Sequence, residues 1–464
     1  MDKREHWGTK FGFILAASGS AVGLGNIWKY PYIAGENGGG AFTFIYLLCI
    51  LIVGMPILIG EFVIGRKTQL SPVGAFEKLA PKSSWKWVGM LGVCSAFVIL
   101  AFYGVVGGWT LRYTFMSLMG DFSDLTGNPA ISGEVFNSFI THPLYPLLWH
   151  FIFMGLCIWV IINGIKGGIE KWTKIMMPMI LFILIILVFR GITLPNASAG
   201  ISFLFKPKFD DITASSIVLA LGHSFFTLSL GMGTMITYGS YLKKEQNLFN
   251  SAMWVLLLDT GIAIMAGIAI FTTVFSVGAD PAGGPGLIFV VLPTIFPQIA
   301  GGLLWGTLFF FLLFLAALTS AISILEVVTA YFIDQKGWTR FRATIIFGLI
   351  VTACGVFCSL SLGDGYNITE MFGIKFFDFM DNLSSKYMLP LGGMLTAIFI
   401  LVRWGIPKFL EEFYLGMTNR IFSNSTVKFL LTIASTVVGF IILNEVFDIF
   451  FGVPLIGKDG ILFG

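Results

Sequence analysis

The sequence predicts an all-α integral membrane fold of 11 transmembrane helices. They form two inverted five-helix repeats, helices 1–5 and 6–10, plus helix 11. Three observations predict it. Hydrophobic residues fill 56% of the 464 positions and charged residues only 11%, too few charges to solvate a soluble chain of this length. Apolar runs long enough to cross a bilayer recur along the whole chain without a polar linker, so a single domain, 1–464, is expected. The first and sixth runs share a defect, a Gly-x-Gly beside small hydroxyl residues in mid-span. Their matching positions, an odd number of runs apart, invert one half relative to the other.

The elements follow in order. Residues 1–9, the start of "MDKREHWGTKFGF", are charged, carry no cleavage site and read as a cytoplasmic N-terminal segment. The first repeat, 10–190, holds spans 10–35, 40–64, 87–118, 146–164 and 173–190. The second, 212–402, holds spans 212–238, 249–275, 301–333, 341–362 and 378–402, and the extra helix is 427–451. Loop 119–145 is acidic and reads as external. The segment "GGPGLIFVVLPTIFPQIAGG" (283–302) is apolar but broken by prolines and reads as an external lid hairpin.

Orientation comes from Lys and Arg. Six segments on one side (the N-terminus, 65–86, 165–174, 239–248, 334–342 and 403–428) carry 20 of the 28 basic residues. The excess places the N-terminus in the cytoplasm and, after an odd number of crossings, the C-terminus outside. Five cysteines, all in apolar runs, argue against a disulfide framework, and Cys354 and Cys358 read as packing residues. The formal net charge of +3 says little about partners, and no nucleic-acid partner is expected. An enzyme is disfavoured: there is no Ser-His-Asp set, HExxH or P-loop, and His6, His142 and His150 read as interfacial or solvated. The single "GNPA" at 127–130 lies in the acidic loop and does not make a water channel.

The interrupted spans carry the chemistry. "LAASGSAVGLGNIWKYPY" (15–32) places Gly19, Gly23 and Gly25 at membrane depth, and "FFTLSLGMGT" does the same in the sixth span. An unwound helix in lipid bares amides and carbonyls that cost several kcal/mol each if unmet. Bare carbonyls suit a cation, and bare amides at a half-helix N-terminus suit a carboxylate. A zwitterion with sodium beside it satisfies both, so Ser20–Gly25 reads as a site for an amino acid and a hard cation. Asn26, Thr227, Ser229, Thr319 and Ser320 add uncharged oxygen donors. Asp259 is the only charge between Trp254 and Phe275, which marks it as functional. Glu61, in "GMPILIGEFVIGR", is a second intramembrane acid and is expected to pair with freed amides near the first break.

These motifs, with "ENGGGAF", "YGVVGGWTL", "LAALTSAIS" and "FFDFMDNLSS" in order along nearly the whole chain, resemble the neurotransmitter:sodium symporter family, especially its bacterial amino-acid transporters of the leucine-transporter type. The resemblance implies a sodium-coupled symporter of hydrophobic L-amino acids, aliphatic or aromatic. It would work by alternating access in the prokaryotic inner membrane, with the bilayer and a candidate homodimer partner around it. It implies two Na⁺ sites. The first would use Ala21, Asn26, Thr227 and Asp259; the second Gly19, Val22, Ala316, Thr319 and Ser320. Substrate would lie against Ala21, Leu24, Gly25, Ile99, Tyr103, Phe226, Thr227, Ser229, Met232, Ser320 and Ile324. Lys29 and Asp381, with Tyr103 and Phe226, would close the outer side; Arg4, Trp7, Tyr241 and Asp334 would close the inner one.

The departures are informative. Lys29 stands where much of the family has Arg, losing bidentate geometry. Asp259 replaces an Asn and His223 a Gln, beside Tyr46, where animal members hold chloride. A fixed carboxylate makes chloride redundant, so no chloride requirement is expected, and Asp259 would exchange a proton on the return step. Gly23 replaces the Asp of monoamine carriers, favouring a substrate with its own α-carboxylate. The pocket of Ile99, Phe226, Met232, Ser320 and Ile324 is mostly apolar and discriminates weakly. Met232 is flanked by Gly231 and Gly233, so it could adapt to an aromatic side chain. A sensor that binds an amino acid without moving it is the alternative.

Overall fold

A computed structural model describes residues 5–363, 370, 371, 373–451 and 455. Arg4, and the C-terminal residues that bear on the orientation of that end, lie outside the described residues. In chain order the main helices are α1 Lys10–Ala21, α2 Gly25–Glu36, α3 Gly40–Thr68, α4 Lys86–Met119, α5 Tyr145–Ile162 and α6 Ile165–Ile192. There follow α7 Ala214–Thr227, α8 Thr234–Gly239, α9 Leu248–Ser276, α10 Leu287–Gln298, α11 Gly302–Lys336, α12 Arg340–Leu360, α13 Phe376–Trp404 and α14 Asn424–Phe451.

Nine of these are long and apolar enough to cross a membrane, among the described residues, and α1 with α2, bent by 47°, makes a tenth crossing. The expected sixth span has no helix of that length; α7 and α8 flank a non-helical stretch at 228–233. A two-residue β ladder, Glu370–Met371 with Ile374–Lys375, precedes α13.

Four prolines are absorbed by widening the helix just before them. Five- or six-residue π turns at Gly25–Lys29, Ile50–Gly54, Leu287–Val291 and Leu383–Met388 each end two residues before a proline: Pro31, Pro56, Pro293 and Pro390. Proline brings no N–H and its ring crowds the carbonyl four residues back, and a wider turn relieves both problems. For the same reason residues 283–302 do not form the expected hairpin. They form one short helix, α10, whose Phe289 packs on Tyr113 (5.2 Å), Phe136 (5.5 Å) and Trp109 (5.9 Å).

The most apolar window of α11 is 89% buried inside the protein and that of α4 72%, against 28% for α14. The α4–α11 pair is therefore the centre of the bundle, and α14 lies at its edge with most of its apolar window uncovered. His150 corrects another expectation. It is fully buried, its Nε2 3.1 Å from the Thr352 carbonyl, and its ring rests on Gly104 and Gly355. Those glycines open a slot between α4 and α12 that sequence position alone did not reveal.

Candidate substrate and ion site

The two breaks face each other. In the first, the backbone turns extended at Val22 (ψ 104°), and the freed amides find new acceptors. The Gly23 amide donates to Asn26 Oδ1 (3.0 Å) and the Leu24 amide to the Tyr103 hydroxyl (3.1 Å). In the second, Ser229, Gly231 and Gly233 take positive φ (53°, 78° and 77°), and Ser229 is the only one with a side chain to strain there. The Ser229 hydroxyl donates to the Ser20 carbonyl (2.9 Å), which joins the breaks. Glu61 belongs to the second break, not the first: its Oε1 accepts the Gly231 amide (2.8 Å). A fold that lays α3 beside α8 decides this, since α3 residues near 61 are far in sequence from both breaks.

Between the breaks lies a small cavity of about 20 Å³. Nine of the eleven expected substrate residues line it: Ala21, Gly25, Ile99, Tyr103, Phe226, Ser229, Met232, Ser320 and Ile324. Leu24 and Thr227 do not, but Leu24 presents its amide to Tyr103, and Thr227 turns to Asp259. Ser20 and Gly23 line the cavity as well. A Cβ on Gly23 would fall 2.3 Å from Ser320 Oγ and 2.7 Å from the Tyr103 hydroxyl, so a side chain there would have to displace both hydroxyls.

Two oxygen clusters flank the cavity. Asp259 is fully buried; its Oδ1 accepts from Asn26 Nδ2 (2.7 Å) and the Thr227 hydroxyl (2.9 Å), while its Oδ2 has no partner among the described residues. A buried carboxylate with a bare oxygen demands a cation or a proton. In the other cluster α1 meets α11. The Ser320 hydroxyl lies 3.3, 3.1 and 3.2 Å from the carbonyls of Gly19, Ser20 and Val22. Thr319 Oγ1 lies 3.0 Å from the Ala316 carbonyl and 3.5 Å from that of Val22. The donors are all uncharged oxygens, which fits a hard monovalent cation and no soft metal.

On the outer side Lys29 Nζ stands 3.7 Å from Asp381 Oδ1 and 4.6 Å from the centre of the Phe226 ring. Phe226 lines both the inner cavity and a larger open one that also touches Lys29, Glu36, His223, Asp381 and Glu445, so its ring is the wall between them. On the inner side the Trp7 indole donates to the Tyr238 carbonyl (3.0 Å). Tyr241 pairs with Glu326 (2.6 Å). Asp334 accepts the Ser71 amide (2.5 Å), at the start of the short helix Pro72–Leu79.

Comparison with known proteins places this arrangement. The model of the sodium:neurotransmitter symporter family matches residues 4–133 and 138–450. The chain belongs to that family. It is 41% identical to the uncharacterized sodium-dependent transporter YhdH of Bacillus subtilis, over 88% of this chain and 90% of that one. It is 28% identical to the sodium-dependent serotonin transporter of Drosophila melanogaster, over 77% of this chain and 64% of that one. The crystal structure of MhsT in complex with L-phenylalanine superposes with a TM-score of 0.86 at 45% identity, covering 95% of this chain and all of MhsT. The protein is thus a multi-pass membrane sodium symporter and not an enzyme.

Sequence reasoning missed part of the ion-pair network around Tyr241. Arg340 grips Glu326 with Nη1 to Oε2 at 2.7 Å and Nη2 to Oε1 at 3.0 Å, and its Nε reaches Glu5 at 3.2 Å. Glu326 is fully buried in α11. It could have been found by the criterion that singled out Asp259, a lone acid in an apolar run. A second buried pair joins Arg66 at the end of α3 to Glu412 in the short helix Ile406–Phe413 (2.9 Å). His223 differs from a hydrogen-bonded core histidine. Among the described residues both its ring nitrogens lack partners, as does the hydroxyl of Tyr46, whose ring centre is 5.1 Å away.

Proposed function

We propose that this symporter carries hydrophobic L-amino acids together with Na⁺ by alternating access, using two Na⁺ sites and no chloride. The observation that carries the reading is the cavity between the two breaks, walled by Ile99, Phe226, Met232 and Ile324 and flanked by the two oxygen clusters. The Leu24 and Gly25 amides and the Tyr103 hydroxyl would meet the substrate carboxylate, at the positive end of α2. The crowding that a side chain at Gly23 would meet supports a substrate that brings its own carboxylate. The L-phenylalanine bound in MhsT supports the aromatic end of the range.

The first Na⁺ would sit at Asp259, Asn26, Thr227 and the Ala21 carbonyl, with the substrate carboxylate completing it; the second would tie Gly19 and Val22 to Ala316, Thr319 and Ser320. Asp259 would serve where chloride serves other members. The eleven crossings, with 212–238 as a broken sixth, would form two inverted repeats in the prokaryotic inner membrane, N-terminus inside and C-terminus outside. Uptake into proteoliposomes tests the reading. Radiolabelled L-phenylalanine or L-leucine should accumulate when external Na⁺ exceeds internal Na⁺ and should not when choline replaces it. Competition by the standard L-amino acids would rank the substrates. Sodium-dependent binding without accumulation would leave a sensor, and accumulation indifferent to Na⁺ would end the proposal.

A further inference from the structure

One carboxylate holds the cytoplasmic end of α1. Glu170 closes the π turn Ile165–Glu170 at the start of α6. Its Oε2 accepts the Gly8 amide (2.6 Å), and its Oε1 accepts the Thr9 amide (3.2 Å) and the Thr9 hydroxyl (3.0 Å). The amides at a helix N-terminus have no partners inside the helix, and that end favours an anion. A Cβ on Gly12 would stand 2.2 Å from Glu170 Oε1 and 2.5 Å from Cδ, so the carboxylate lies flat on α1 where only glycine leaves room. The chain before α1 ties back to the same turn, through the Ile165 amide on Glu5 Oε2 (2.6 Å). Glu170 also has a partner on its own helix: Lys174 Nζ lies 2.6 Å from the same Oε1.

We propose that Glu170 is a positioning residue that latches α1 shut on the cytoplasmic side, with Lys174 as the partner that keeps the carboxylate when α1 leaves. The proposal rests on the alternating-access reading above. Gly8 and Thr9 sit at one end of α1, and the Gly19 and Val22 carbonyls that meet Ser320 sit at the other. The latch and that oxygen cluster are two ends of one short rod, so a tilt that frees the first takes the second apart. Loosening the latch therefore weakens Na⁺ binding by shifting the population toward the dismantled state. Lys174 acts in the opposite sense. It competes with α1 for Oε1 and stabilises the released carboxylate, so its removal favours the closed state.

The test uses the full chain in nanodiscs, with Na⁺ as the probe. Amide hydrogen exchange over residues 8–14 is followed by mass spectrometry as NaCl replaces choline chloride. Glu170→Gln should speed exchange and raise the half-protecting Na⁺ concentration by about tenfold, the scale of one lost charge-assisted hydrogen bond. Gly12→Ala should do the same by expelling the carboxylate. Lys174→Met should slow exchange and lower that concentration. A salt bridge that merely supports folding would move Glu170→Gln and Lys174→Met in the same direction, and that result overturns the latch. If Glu170→Gln does not fold, Gly12→Ala against Lys174→Met decides by the same opposition. Sodium-driven uptake of L-phenylalanine, measured in parallel, separates the two readings. Opposed shifts without uptake overturn transport but leave the contact intact, whereas uptake with no opposition overturns the latch alone.

Discussion

The two sides of the cavity are closed by different chemistry. Outside, one ion pair at 3.7 Å joins Lys29 and Asp381, whose side chains are 18% and 38% exposed, and the same ammonium caps the Phe226 ring. Inside, a fully buried Glu326 takes three bonds of 3.0 Å or less from Tyr241 and Arg340, with Trp7 packed on Tyr238 beside them. A partly exposed pair contributes roughly 0–1 kcal/mol, whereas removing one partner of a buried pair costs about 3–5 kcal/mol. The Lys29 end of the cavity is held lightly and the Trp7 end firmly. On the proposed alternating-access reading, the Trp7 side is the harder one to open and the Lys29 side the easier.

That contrast can be broken at its strong end first. Arg340→Met leaves Glu326 buried without its cation, at a cost of about 3–5 kcal/mol to the closed inner side. Sodium-driven uptake should be lost and amide exchange around Trp7 should rise; unchanged exchange there would mean the network is not the closure. Next comes the first proposed ion site. Asp259→Asn removes the only charge of the first cluster and should raise the Na⁺ needed for half-maximal uptake on the order of tenfold or more, while making uptake depend on chloride. Uptake indifferent to chloride in that variant would remove the proposed role of the carboxylate.

A smaller effect is expected at the second cluster. Ser320→Ala loses a hydroxyl that reaches three carbonyls, and about 0.5–1.5 kcal/mol translates to a roughly twofold to thirteenfold rise in the Na⁺ requirement. The outer pair should matter least. Lys29→Ala or Asp381→Asn should change uptake by less than about fivefold, with the difference fading as salt screens the wild-type pair. Lys29→Arg sharpens the comparison, because a guanidinium can take both carboxylate oxygens and should slow outward opening. A large loss from Lys29→Ala would erase the asymmetry.

Much of the site was legible because membrane chemistry punishes exceptions. Glycines at mid-span and a lone Asp in an apolar run cannot persist in lipid without a purpose, so Gly23, Gly25, Gly231, Gly233 and Asp259 announce themselves. The errors have a common origin. Glu61 and His150 are given the wrong surroundings by the sequence, and the partner of Tyr241, a residue expected at the inner gate, is unforeseen. The Gly231 amide, the Thr352 carbonyl and Glu326 lie 170, 202 and 85 residues away along the chain from Glu61, His150 and Tyr241. The hairpin expected at 283–302 failed for a local reason, since a widened turn lets a proline stay inside one helix.

Run length and composition settle from the chain alone that this is a membrane bundle, and the placement of glycine and acid settles where its helices break, because both follow from the cost of bare polar groups in hydrocarbon. Which group answers each bare one is decided by packing: Tyr103 for the Leu24 amide, Glu61 for that of Gly231, Ser320 for the Val22 carbonyl. Hydrogen bonds act over about 3 Å, and no sequence spacing encodes which of a dozen helices will come that close.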